Sequence, residues 1–212
     1  MKELRDSRTG IDHAYWKPLI PEIERHFTVY VPDRRGRGQS GDTKSYSIHR
    51  EFEDVVTLVD PIPEKVDLLG HSYGAICSLE AALLTTNINS LVLYEPPVYT
   101  TIDIPYPEDA LDRYNGYIEA GEAEKALLMM YEIGGASTDE LNRLRSHPIW
   151  QARVLLAHTI PREQISVKSY YFDPRRLIDL KIPTTLILRG ESAPFYKAAT
   201  ETLYAALPQS QA

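Results

Sequence analysis

Val66-Asp67-Leu68-Leu69-Gly70-His71-Ser72-Tyr73-Gly74-Ala75 joins an apolar, strand-like segment to a helix-forming one through a Gly-x-Ser-x-Gly turn. This is the pattern of a nucleophile elbow. The serine is held at a strained backbone angle above a sheet, and its flanking positions must be small because strand and helix pass too close for side chains. Gly70 and Gly74 meet that demand. A helix opening near Tyr73 aims its first amides at Ser72, where an oxyanion would form during acyl transfer.

Working outward, Phe27-Thr28-Val29-Tyr30-Val31 reads as a strand running into a loop at Pro32-Asp33, and an amphipathic stretch over 16–26 precedes it. Ser47 can cap a helix through about Val59, since Ile48, Phe52, Val55, Val56 and Val59 recur at helical spacing. Pro61 and Pro63 end it. A helix follows the elbow to about Leu84, then strands over 90–94 and 184–188, and a helix over 196–207. Strands alternating with helices predict an α/β fold, a mostly parallel sheet with helices on both faces. Between Glu95 and Ile182 the rhythm turns helical, over 108–117, 122–131 and 138–157. A helical insertion between two strands is most simply a cap over the strand ends. The expected organisation is core over 1–97, cap over 98–181 and core again over 182–212.

Composition narrows the function classes. Apolar residues at 43% and charged residues at 25% are those of a globular chain and exclude disorder. Thirty acidic against 23 basic side chains, a formal charge of −7, disfavour nucleic acid as a partner. The single Cys77 excludes an internal disulfide and a thiolate metal site, and its place after the elbow suits a small buried residue. With no apolar leader and no membrane-length apolar run, the expectation is no membrane association and a cytoplasmic location.

Asp33-Arg34-Arg35-Gly36-Arg37-Gly38-Gln39-Ser40 is the second specific signature. Together with the elbow it resembles the α/β-hydrolase superfamily, whose members carry Asp-x-Arg-Gly-x-Gly-x-Ser after one strand and Gly-x-Ser-x-Gly after the next. The resemblance extends from about Gly10 to Leu207. It implies Ser72 as nucleophile, the Tyr73 amide as one oxyanion donor and a structural role for the Asp33 loop. It also implies hydrolysis of small-molecule esters or related acyl substrates, with no metal or organic cofactor. The overlapping Gly36-Arg37-Gly38-Gln39-Ser40-Gly41 is a formal dinucleotide fingerprint, but no helix opens inside it, so it reads as a decoy.

A serine nucleophile needs a base and an acid that orients it. Glu191, after the strand that follows the cap, and Glu95, at the end of the strand after the elbow, are the two candidate acids. No histidine follows His158, and the family's base would lie beyond the last helix; His147 and His158 lie within the cap. At the other end Ser7-Arg8 stands where the family has His-Gly, with Thr9 offering the second oxyanion amide. Residues 1–6, mostly charged, read as a poor central strand. The expectation is therefore a hydrolase fold lacking its N-terminal strands and last strand, of low stability or self-associating through the Leu186 edge. The alternative reading is a homologue that binds without turnover. The aromatic residues Tyr99, Tyr106, Tyr114, Tyr117, Trp150, Tyr170 and Tyr171 divide between pocket lining and packing.

Overall fold

A computed structural model describes residues 2–6, 9, 11–98, 106–208 and 210–211. The strands are β1 (Lys2–Asp6), β2 (Thr28–Tyr30), β3 (Val66–His71), β4 (Ile88–Tyr94), β5 (Thr184–Ile187) and β6 (Ser210–Gln211). They form one sheet in the order β2-β1-β3-β4-β5-β6, with every neighbouring pair parallel. The helices are α1 (Ile20–Ile23), α2 (Ile48–Val59), α3 (Tyr73–Ala82), α4 (Ala110–Glu119), α5 (Ala123–Ile133), α6 (Thr138–Arg145), α7 (Trp150–Leu155), α8 (Ile160–Ser169) and α9 (Pro194–Ala206). Five of them, α4 to α8, lie between β4 and β5, so the chain is an α/β fold with a helical insertion.

The expected gap at the sheet's centre is overturned. β1 lies between β2 and β3 and pairs with both, Lys2 opposite Thr28 and Val66, and Leu4 opposite Tyr30 and Leu68. Backbone pairing on two sides outweighs the poor strand preference of its charged residues, because strand propensity measures context more than backbone preference. At the other end β6 pairs Ser210 with Thr184 and Gln211 with Thr185, so part of the β5 edge is covered. Two residues carry no alternation to read in advance.

Local chemistry explains the other elements. Ser47 caps α2 by accepting from the His49 amide, and Ile48, Phe52, Val55 and Val59 are the buried face. The helix expected over 16–26 is broken into a 3-10 turn at His13–Trp16 and the single-turn α1, since Pro18 and Pro21 have no amide to continue a ladder. Likewise 138–157 divides into α6 and α7 around Pro148. The main core joins α2, α3 and α9 to the strands through Phe52, Ile76, Leu79, Leu91 and Leu203. The insertion has its own apolar cluster of Tyr114, Leu127, Met130, Trp150 and Ile160. Cys77 is buried, as expected of a small core residue.

The two clusters are tied together by charge. Arg34 grips Glu51 through Nε and Nη2 at 2.6 and 2.9 Å, and its Nη2 reaches Glu163 on α8 at 3.1 Å. Arg37 contacts Glu163 as well and donates to Thr159 Oγ1 at 3.3 Å. None of these four charged side chains is more than 4% exposed. Arg162 adds an ion pair to Asp42 at 2.6 Å and a hydrogen bond to the Arg35 carbonyl at 2.9 Å. Helix α8 is thus stapled to the loop that follows β2.

Candidate active site

The turn between β3 and α3 has the geometry that its sequence demands. Ser72 takes φ 54° and ψ −120°, a conformation that costs a non-glycine residue of order 1–3 kcal/mol and is kept only where its surroundings over-determine it. Its amide donates to the Tyr94 carbonyl at 2.8 Å, and its carbonyl accepts from Ala75 at 2.8 Å, which starts the helix. Gly70 is required by sterics. A Cβ there would meet the Gly74 carbonyl oxygen at 2.5 Å and the Ala75 Cα at 2.7 Å.

Ser72 is buried, and it lines a cavity of about 50 Å³ with Thr9, Tyr73, Tyr106, Met130 and Phe195. Thr9 and Tyr73, expected as the two oxyanion donors, therefore share its wall. The Tyr73 ring itself turns inward under the Arg34 guanidinium at 4.3 Å, its hydroxyl 2.6 Å from that of Tyr46. Of the aromatics, Tyr106 faces the Ser72 cavity, Tyr114, Trp150 and Tyr170 are packed in the cores, and Tyr171 is exposed. Tyr99 lies outside the described residues.

The structure separates the two candidate acids. Glu191 is exposed on the turn after β5. Glu95 is buried at the end of β4, one strand from Ser72, because His71 is paired with Tyr94 in the parallel register. At φ 48° it is the second of two non-glycine residues with positive φ among those described, the other being Ser72. Its carboxylate accepts from Ser192 Oγ at 2.5 Å and from Arg189 Nε at 2.9 Å, with His71 Nε2 at 3.8 Å. Burial alone would push this carboxyl up; His71, Ser192 and Arg189 outweigh it and pull it down to about 2.

A depressed carboxyl stabilises the fold only while ionised. Glu95 therefore contributes stability above its ordinary value of 4.5 and loses it as pH falls toward about 2. Glu95→Gln is expected to melt several degrees below the parent at pH 7, and the gap should shrink between pH 4.5 and pH 2. A gap independent of pH in thermal melts would remove the ionised carboxylate as its source.

His71 stacks on Tyr94 with ring centroids 4.3 Å apart and packs against Tyr15, on the face of β3 opposite Gly70. His147 is exposed and lines the same neighbouring cavity as His71 and Glu95; His158 is exposed and bonds the Leu155 carbonyl. Among the described residues no histidine lines the Ser72 cavity. The Asp33 loop has the anchoring role expected of it. Asp33 accepts from the His13 amide and ring at 2.9 and 2.8 Å and from the Gln39 amide at 3.1 Å. Gly38, at φ +51°, leaves room for that carboxylate. The glycine-rich decoy closes on itself, Gly36 amide to Gly41 carbonyl at 2.9 Å, and the next helix, α2, opens only at Ile48, outside it.

A family model described as "Alpha/beta hydrolase family" matches residues 9–211. The chain belongs to the alpha/beta hydrolase family. Among solved alpha/beta hydrolases, one from Sphaerobacter thermophilus is 28% identical with a TM-score of 0.89, covering 99% of this chain and 82% of that one. The enol-lactonase from Burkholderia xenovorans superposes with a TM-score of 0.76 at 20% identity, over 99% of this chain and 80% of that one, a likeness of fold. The pimeloyl-[acyl-carrier protein] methyl ester esterase of Pseudoalteromonas atlantica is 31% identical over 87 residues, 40% of this chain and 33% of its own length. This alpha/beta hydrolase thus spans about a third of that relative. No helix among the described residues is long and apolar enough to cross a membrane.

Proposed function

We propose that this alpha/beta hydrolase cleaves small-molecule esters or related acyl compounds through Ser72. The observation that carries the reading is the strained Ser72 at the head of α3, beside a cavity whose wall includes Thr9 and Tyr73. Ser72 Oγ attacks the carbonyl carbon, and the carbonyl oxygen gains charge between the amides of Tyr73 and Thr9. The leaving alcohol departs with a proton, and water then releases the acid and the free serine. The relative named as a methyl ester esterase, 31% identical over 87 residues, supports the same bond class.

Glu95 is the carboxylate of this reading, since it is buried and ionised one strand from Ser72, whereas Glu191 faces solvent. The proton lost by Ser72 leaves on the departing alcohol, and the water that releases the acid returns one to the serine; Glu95 lines the adjoining cavity with His71 and His147, where an ionised carboxylate can orient an imidazole. Residues 98–181 act as a cap, with Tyr106, Met130, Ile133 and Gln164 closing over the serine.

The competing reading, a homologue that binds without turnover, rests on the absence of a described histidine from the Ser72 cavity. Fluorophosphonate labelling with peptide mass mapping separates the two, with Ser72→Ala as control. Rapid modification confined to Ser72 is the expected result. A folded chain that forms no adduct would sink hydrolysis and leave binding.

A further inference from the structure

A second cavity, of about 560 Å³, adjoins the Ser72 cavity and shares Gly134 in its wall. His71, Tyr94 and Glu95 line it from the strand ends, and Tyr131, Arg143 and Arg153 from the insertion. Arg153, on α7, is the group whose chemistry asks for a partner. It is 9% exposed, its Nη1 donates to the Tyr131 hydroxyl at 2.8 Å, and its Nε is buried with no acceptor. Among the described residues it forms no ion pair, whereas the buried Arg34 and Arg37 both meet carboxylates. Arg34 grips Glu51 through its Nε and Nη2 edge. The corresponding edge of Arg153 has no such carboxylate.

The acids nearby are engaged elsewhere. Glu95 is bonded by Arg189 at 2.9 Å, and Glu140 accepts from the Ser137 amide at 2.8 Å and lies 3.6 Å from Arg189. Arg143, exposed on α6, adds a further positive charge to the same wall. A guanidinium taken from water without a counter-ion is costly, and its planar fork fits a carboxylate in two parallel hydrogen bonds. The tyrosine rings and Leu144 supply an apolar wall for a short alkyl chain.

We infer that this cavity is a carboxylate subsite anchored by Arg153, so that the acyl substrates of Ser72 carry an acidic group at their far end. The statement about substrates rests on the reading of Ser72 as nucleophile; binding at Arg153 does not. The probes are adipate, monomethyl adipate and dimethyl adipate, titrated calorimetrically into the Ser72→Ala chain so that no turnover intervenes. Adipate and the monoester should bind saturably and more weakly at high salt. Adding Arg153→Gln should weaken both by about tenfold or more and leave the diester unchanged. Arg153→Lys, which keeps charge without the fork, should recover part of the loss and guards against a folding defect in the glutamine variant.

Equal binding of adipate with and without Arg153→Gln would overturn the subsite, as would a folded chain that binds neither carboxylate. Because the readout is binding to a chain without the serine, a failure to label Ser72 leaves this result standing. Loss of the subsite, in turn, leaves the labelling of Ser72 untouched.

Discussion

Glu163→Gln lowers the free energy of unfolding by about 3–5 kcal/mol, against the roughly 5–15 kcal/mol that holds a domain folded. Glu163 is the carboxylate that Arg34 and Arg37 share, and its side chain is 0% exposed. Burial and the adjacent Arg34 press the Arg37 guanidinium down to about 9, so it remains protonated at neutral pH. Glutamine supplies no charge, which leaves two buried cations against Glu51 alone. The same pair is a poor source of net stability, because desolvating it costs about as much as the attraction returns. Arg37→Met combined with Glu163→Leu should therefore recover most of the loss in urea denaturation. A single-variant loss below about 1 kcal/mol would mean that water reaches the cluster and screens it.

Gly70→Ala slows fluorophosphonate labelling of Ser72 by about a hundredfold, the scale on which displacing a reacting group by an ångström acts. The added Cβ would lie 2.5 Å from the Gly74 carbonyl oxygen and 2.7 Å from the Ala75 Cα, both backbone atoms of the first turn of α3. Neither can move aside as a side chain would, so helix and strand must part, and the amides at the head of α3 move with them. Overpacking of this kind also destabilises by about 1–3 kcal/mol. Melting the variant beside the labelling assay distinguishes displacement from unfolding: slow labelling of a folded chain is the expected outcome. Labelling at the parental rate would show that the turn has slack and that Gly70 is not needed for close approach.

The parts of the fold legible in the sequence are those governed by local rules. The Ser47 cap and the helical spacing of α2, the two glycines around Ser72 and the β-branched strands all depend on residues within a few positions of one another. Residues 1–6 misled because their charged side chains argue against a strand, while the pairing that makes β1 a central strand is offered by residues more than twenty positions away. The helix expected over 16–26 failed for a local reason, the two prolines.

Sequence pattern alone was enough to settle that this chain is an α/β protein with a strained serine turn and a helical insertion. Those features follow from periodicity and from the steric needs of glycine, which act along the chain. Which of the two candidate acids is buried was decided in three dimensions: Glu95 is buried because β4 pairs with β3 and because Ser192 and Arg189 arrive from the turn after β5. The joining of Arg37 to Glu163, and the pairing of Arg153 with the Tyr131 hydroxyl rather than with a carboxylate among the described residues, were decided there as well. Electrostatic environment is a property of what folding gathers around a group, and the chain brings those partners together from segments up to 129 positions apart.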